Sequence, residues 1–182
     1  MLKRILIFPI GLLLFISSVH AQIEVAHLRT KDFSATGFGA FLNIAVPVTE
    51  YGVVTAEAAF YYFRSGDDHV ALVPFLLGYR HMLQDPEAGF YVEPNGGYNI
   101  GATDIQKYGP NGDLLFDTAT GRIFEQQVKG PTAGLGVGYI FPGRIAFNLG
   151  LRYQRIFVSG DPSLNLFSLR LSYPLSFKRR DY

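Results

Sequence analysis

Alternation along the chain constrains this protein more than any other feature of its sequence. From residue 23 onward, apolar and aromatic side chains recur at every second position, which is the period of an extended strand with two different faces. Glycine and proline interrupt the stretches that could follow a helical period. The pattern predicts eight strands, at residues 23–30, 36–47, 53–64, 69–82, 90–103, 131–141, 144–157 and 164–177.

The lengths of these segments and of their connections indicate the kind of sheet. Most segments exceed the roughly 5–6 residues of a soluble strand and reach the roughly 9–11 residues that a tilted strand needs to cross a bilayer. Short turns alternate with longer connections, of which 104–130 is the longest. Outer-membrane barrels combine short periplasmic turns with longer external loops. We therefore expect an all-β fold, a single closed antiparallel transmembrane β-barrel of about eight strands.

The two strand faces separate a membrane barrel from a soluble one. One face is apolar and has no charge in mid-strand, whereas the other carries glycine, asparagine and a few charges of both signs. A glycine-rich face suits the lumen of a narrow barrel, so the apolar face is predicted to meet lipid. A soluble lipid-carrier barrel is the alternative, and its apolar interior would reverse this assignment. Representative side chains predicted to face outward are Phe38, Leu42, Phe147, Leu151 and Leu171.

The first 21 residues have the pattern of a secretory signal peptide. Lys3 and Arg4 precede a short apolar run, and Val19-His20-Ala21 predicts cleavage after Ala21. The barrel domain is then 22–182. Loss of Lys3 and Arg4 lowers the formal net charge by two, from +1 to −1, which gives no electrostatic basis for nucleic-acid binding. The chain has no cysteine, the remaining acids show no metal-ligand spacing, and we expect neither metal nor cofactor.

Several segments together resemble the small outer-membrane β-barrel family of Bacteroidetes type, which is similar in shape to small eight-stranded bacterial barrels. The resemblance is carried by TGFGAF (36–41), ALVPFLLGYR (71–80), FYVEPNGGY (90–98), GLGVGY (134–139) and LGLRY (149–153). It implies an outer-membrane location in a Gram-negative-type bacterium, contact with outer-membrane lipid, and no general catalytic residue set. The closing segment LSYPLSF resembles the aromatic-ended strand that the barrel-insertion machinery reads, here ending at Phe177.

Charged residues at inward positions are the main candidate site. Their parity predicts a lumen network of Glu57, Arg80, Glu93, Arg152 and Arg170. Polar support is expected from Asn95, Asn148 and Gln154. Charges removed from water need partners, and a guanidinium suits a carboxylate, so a paired network that fills the lumen is favoured over a pore lining or a ligand site.

Two other functional readings involve the connections. A histidine beside an acid and a serine could indicate an outer-membrane enzyme, and the one such cluster is Ser65, Asp67, Asp68 and His69. Its composition is ordinary for a turn, and we expect no catalysis.

The long loop could contact an unidentified extracellular partner through Tyr108, Phe116 and Phe124. The function expected is a non-enzymatic barrel with a packed polar lumen and a structural or surface-interaction role. The alternatives are a narrow solute conduit or, less favoured, a lipid-modifying enzyme.

Overall fold

Every long alternating segment of the sequence forms a β-strand. The computed structural model describes residues 18–30, 33–66, 68–103, 128–143, 147–158 and 163–175. Their strands are β1 (Ser18–Arg29), β2 (Ser34–Pro47), β3 (Gly52–Ser65), β4 (Asp68–Met82), β5 (Gly89–Thr103), β6 (Gly130–Ile140), β7 (Asn148–Ile156) and β8 (Leu164–Leu175). The expected all-β fold with eight strands is confirmed.

Most strand ends lie within one or two residues of the sequence prediction, and the starts of β1 and β7 differ by more. β1 begins at Ser18, so its pairing with β2 extends into residues that the sequence assigns to the signal peptide. Cleavage after Ala21 stays a prediction, and it would leave the pairing of Gln22 to Arg29 intact. β7 begins at Asn148, whereas the prediction began at residue 144; Phe147 precedes the strand, and residues 144–146 lie outside the described residues. Phe177, the predicted end of the last strand, lies outside the described residues.

The sheet closes on itself, so no strand edge is left open. Neighbouring strands pair antiparallel in chain order, and β1 also pairs with β8. Closure matters because an open edge would leave a row of unpaired backbone N–H and C=O groups. Short turns support the order: the Asp85 carboxylate accepts hydrogen bonds from the backbone N–H groups of Glu87 at 2.8 Å and Ala88 at 3.2 Å, which fixes the β4–β5 turn.

The strand faces are sorted as the alternation predicts. Phe38 has 71% of its surface exposed on the outer wall, while its neighbours Gly37 and Gly39 are buried in the lumen. Leu42, Phe147, Leu151 and Leu171 are exposed as well, so the predicted outward set is confirmed. At the short-turn end, aromatic rings form a chain of contacts typical of a membrane interface, with centroids 4.1–4.8 Å apart. These rings are Phe90, Tyr139, Phe141 and Phe147.

Inside the barrel, glycines lie beside the large aromatic side chains. Gly39 pairs with Tyr61 across β2 and β3, and Gly37 pairs with Phe63. A Cβ atom on Gly37 would lie 2.7 Å from the Phe63 ring, and one on Gly39 would lie closer still to the Tyr61 ring. These glycines therefore provide the space that aromatic side chains need to fill a narrow lumen.

Substitution of Gly39 by alanine tests this packing. The new Cβ would displace the fully buried Tyr61 ring, and the resulting overpacking should cost roughly 1–3 kcal/mol of stability. The matched control is Gly136→Ala, since a Cβ there meets its nearest atoms at an ordinary 3.5–3.8 Å. Unfolding in detergent, followed by the heat-dependent shift in gel mobility, should show a lower midpoint for Gly39→Ala alone. Equal midpoints for the two variants would contradict the packing argument.

Candidate functional site

Six charged side chains from six different strands meet inside the barrel, and we call them the charged layer. Strand parity turns each of them inward, because its neighbours along the strand lie on the outward face and, apart from His81, are apolar, aromatic or proline. Five are buried, and the Arg80 side chain is 11% exposed. The layer consists of Glu24 on β1, Glu57 on β3, Arg80 on β4, Glu93 on β5, Arg152 on β7 and Arg170 on β8.

Glu57 is the centre of one half of the layer. Its two carboxylate oxygens accept hydrogen bonds from both Nη atoms of Arg152, at 2.5 and 3.1 Å. Such a two-pronged contact is the strongest arrangement that a guanidinium and a carboxylate form. Arg170 Nη2 donates to Glu57 Oε2 at 2.6 Å, and its guanidinium carbon lies 3.7 Å from the centre of the Phe41 ring. Glu57 therefore joins β3 to β7 and β8 across the lumen.

Glu93 is the centre of the other half. Arg80 Nε donates to Glu93 Oε2 at 2.6 Å, and Arg152 Nη2 donates to Glu93 Oε1 at 3.0 Å. The Arg170 Nη1 atom lies 3.9 Å from Glu93 Oε1. Arg152 thus binds both carboxylates, and the two halves form one continuous network.

Glu24 is the member of the layer that the sequence analysis missed. Its Oε2 atom lies 3.5 Å from Arg170 Nε and accepts a 2.8 Å hydrogen bond from the Tyr61 hydroxyl. The expected network of two acids and three arginines would have left one positive charge unbalanced. Glu24 supplies the third carboxylate, so the layer is neutral. Its position between outward-facing Ile23 and Val25 was the available signal.

The expected polar support does not act as predicted. Asn95 Nδ2 donates to the backbone carbonyl of Glu93 at 3.2 Å, and Asn148 accepts from the Tyr91 hydroxyl at 2.9 Å. Tyr91 stacks under the Arg80 guanidinium at 4.5 Å, so Asn148 reaches the network only through that ring. Gln154 is buried but makes no hydrogen bond to any described residue. The direct supporting contacts come instead from Tyr61 and from Asn43, whose Nδ2 lies 3.4 Å from Glu57 Oε2.

Between the charged layer and the long-loop end, the lumen is mostly apolar, which the sequence analysis did not predict. The side chains involved are almost completely buried, and we call them the apolar plug: Leu28, Phe63, Val70, Leu72, Ile156 and Leu166. On each strand that holds both kinds of residue, the plug residue lies nearer the long-loop end. The expected polar lumen is therefore found mainly in the half towards the short turns, although Asn99 and Thr132 are buried towards the long-loop end.

Two histidines lie towards the long-loop end of the barrel, His27 on β1 and His69 on β4. His69 pairs with Arg64 across the β3–β4 hairpin, and its ring lies 6.2 Å from the Tyr62 ring. Asp67 is outside the described residues. His27, which is not part of that loop cluster, lies on the outer wall within hydrogen-bond distance of two hydroxyls: Thr36 Oγ1 at 3.1 Å and Ser34 Oγ at 3.3 Å.

Several expectations concern groups that the structure does not place. Tyr108, Phe116 and Phe124 lie in 104–127, outside the described residues. Within the described part of the chain, no cluster of three or more histidine and acidic side chains could hold a metal ion. No helix formed by the described residues is long and apolar enough to cross a membrane.

Comparison with known proteins supports the fold. Neither a protein-family model nor a curated protein matches the chain. Among solved structures, Ail, the attachment invasion locus protein of Yersinia pestis, is similar with a TM-score of 0.60 at 13% identity, covering 87% of this chain and 97% of Ail. Neisserial surface protein A gives 0.56 at 16% identity, covering 86% and 96%. The outer membrane enzyme PagL gives 0.51 at 14% identity, covering 86% and 99%.

The fold and the outer wall together give the location. The described outer wall exposes more than twenty large hydrophobic side chains. A soluble monomer rarely exposes an apolar surface of this extent to water. A closed sheet satisfies its backbone hydrogen bonds without water, as a lipid environment requires. The similar barrels are outer-membrane proteins. The chain is a small outer-membrane β-barrel.

Removal of one carboxylate tests the charged layer. Glu57→Gln would leave Arg152 and Arg170 short of a buried countercharge, and the expected loss of stability is roughly 3–5 kcal/mol. The control is Glu87→Gln, which removes an acid from an exposed turn. Urea unfolding in detergent or lipid vesicles measures both. A Glu57→Gln barrel as stable as the Glu87→Gln barrel would show that the layer contributes little.

Proposed function

We propose that the chain is a non-enzymatic outer-membrane β-barrel of Bacteroidetes type, with a packed lumen and a structural or surface-interaction role through its external loops. The observation that carries this proposal is the double closure of the lumen. A charged layer whose formal charges sum to zero and whose members are joined by ion pairs lies under an apolar plug, and both consist of side chains from the wall itself.

The same observation argues against the narrow conduit. A solute crossing the barrel would have to separate Arg152 from two carboxylates and also displace the plug. Barrels of about eight strands have an interior just wide enough for side chains to fill. The charges of the layer pair with one another, since each acid contacts at least one arginine of the layer. They serve as an internal cross-link between strands, which leaves the loops as the surface available for interaction.

The similar proteins allow both a surface role and an enzymatic one. Ail is named for attachment and invasion and NspA as a surface protein, whereas PagL is named an enzyme. We assign this chain the surface role because its long segment, 104–127, contains aromatic residues among charged ones. Tyr108, Phe116 and Phe124 are the side chains proposed to contact an extracellular partner.

The hydroxyl groups beside His27 raise the enzymatic alternative, and the chemistry argues against it. A serine nucleophile needs a base whose second ring nitrogen is oriented by a carboxylate or an equivalent group. Here that nitrogen faces the Thr36 hydroxyl. On the described strands, no acidic side chain lies on the outward face beside His27. We therefore interpret these contacts as a polar cluster at the rim of the wall.

Ion conductance of the reconstituted barrel tests the proposed function. We expect no stable single-channel currents in planar bilayers, because the closure lies in the lumen. A second variant with 104–127 replaced by a short glycine-serine turn distinguishes a lumen closure from a loop that covers the opening. That variant should fold and stay non-conducting. Stable currents from the wild type would indicate a conduit, and currents from the loop variant alone would place the closure in the loop.

A further inference from the structure

A groove runs along the outer wall across β1, β8 and β7. Its volume is about 530 Å³, and the outward-facing side chains that line it include Val25, His27, Leu151, Tyr153, Phe167 and Leu169. The lining is mostly apolar, and the Tyr153 and Phe167 rings contact each other at 4.8 Å. A depression of this kind in a lipid-facing wall has the shape and chemistry of an acyl-chain slot.

A shallow depression with a mixed polar and apolar lining adjoins the upper end of this groove. It has a volume of about 410 Å³ and shares Tyr153 and Phe167 with the groove, but it is also lined by Arg29 and Asn165. The Tyr153 hydroxyl donates to Asn165 Oδ1 at 2.7 Å, which turns the phenol towards the polar end. The two cavities therefore form one site with an apolar lower part and a basic upper part.

Two arginines flank this polar end. Arg29 pairs with Asn165 across β1 and β8, and Arg155 pairs with the same Asn165 across β7 and β8. Since neighbouring strands are about 4.8 Å apart, the two arginine backbones lie about 10 Å from each other. Arg155 Nε is held by Ser163 Oγ at 2.8 Å, and its other guanidinium nitrogens make no hydrogen bond to a described residue. Both guanidinium groups are exposed on the same side of the wall.

The sign of the charge around the rim favours an anionic occupant. On the outward faces of the described strands, the charged side chains at the long-loop end are Arg29, Arg64 and Arg155, and Lys129 lies just before β6 at the same end. Asp68 is the one acid at this end among the described residues. The described short turns carry only acids, namely Glu50, Asp85 and Glu87. Because the long-loop end of such a barrel faces the exterior, these cations lie at the depth of the external headgroups.

We propose that this groove is a binding site for an anionic, phosphate-bearing lipid of the external leaflet. One acyl chain lies in the groove between Val25, Leu151 and Leu169, and the phosphate is bound by Arg29 and Arg155. Asn165 and the Tyr153 hydroxyl define the polar floor between the two guanidinium groups. A guanidinium binds phosphate oxygens through paired N–H donors, which makes arginine suited to this position. The inference depends on the outer wall and not on the role of the lumen.

Native mass spectrometry of the folded, detergent-solubilised protein tests the site. The probes are phosphatidylglycerol and phosphatidylcholine with identical acyl chains. The wild type should bind phosphatidylglycerol at least about tenfold more tightly, because each of the two basic residues near an anionic headgroup contributes about fivefold. The double variant R29Q/R155Q should lose the preference. The matched control R64Q/K129Q removes the same charge from β3 and the start of β6, and it should retain the preference.

Three results would overturn the proposal. An equal loss of the phosphatidylglycerol preference in the two double variants would show that the overall positive charge of the rim, and not a specific site, causes the preference. Displacement of phosphatidylglycerol by free inorganic phosphate at equal concentration would indicate an anion site without a lipid component. Val25→Trp, which fills the groove, should weaken both lipids alike, and its failure to do so would exclude the acyl-chain slot. Each variant should fold, since all the substituted side chains lie on the surface. Heat-dependent gel mobility checks that it does.

Discussion

The pairing of three carboxylates with three guanidinium groups in the lumen is the interaction on which the rest of the structure depends. A charge removed from water is tolerated only when a partner and further hydrogen bonds replace its hydration. The chain meets this requirement by drawing the partners from six strands, so each ion pair also fixes the position of one strand relative to another. A strand shifted by one residue would turn its charge to the lipid. The charged layer therefore selects one register for the whole sheet.

The remaining packing follows from that register. Glycines on β2 lie where Tyr61 and Phe63 need space, and Tyr61 in turn donates its hydroxyl to Glu24. Towards the long-loop end, the lumen needs no further charge and is filled by aliphatic and aromatic side chains. On the outer wall, the same alternation leaves a surface that only lipid can cover, with basic side chains confined to one rim. The packing of the lumen and the apolar outer wall thus both result from the two-residue alternation of side chains along each strand.

The sequence predicts much of this arrangement, and its failures have physical causes. The outward face and five of the six lumen charges follow from parity, which is local information, and the antiparallel barrel follows from the lengths of the strands and their connections. Glu24 was missed because the alternation of side chains is less clear in the first strand than in the others. Charge balance in a closed lumen would nevertheless have required a third acid. Gln154 and Asn95 have the right parity but no contact with the charged groups, since parity gives the face and not the height along the axis. The apolar plug was missed for the same reason: Leu28, Phe63 and Ile156 had no assigned height. The contacts of His27 depend on the register between β1 and β2.

Thiol labelling of the lumen tests the central claim most directly. Because the chain contains no cysteine, only the introduced thiol can react. Ser168 is buried on the inward face of β8, and Ser65 is exposed at the end of β3. A small, membrane-impermeant methanethiosulfonate should label Ser65→Cys in the folded barrel. It should react with Ser168→Cys only after unfolding. Labelling of Ser168→Cys in the folded barrel at a rate similar to that of Ser65→Cys would mean that water fills the lumen, and it would contradict the account of a packed, charge-paired interior.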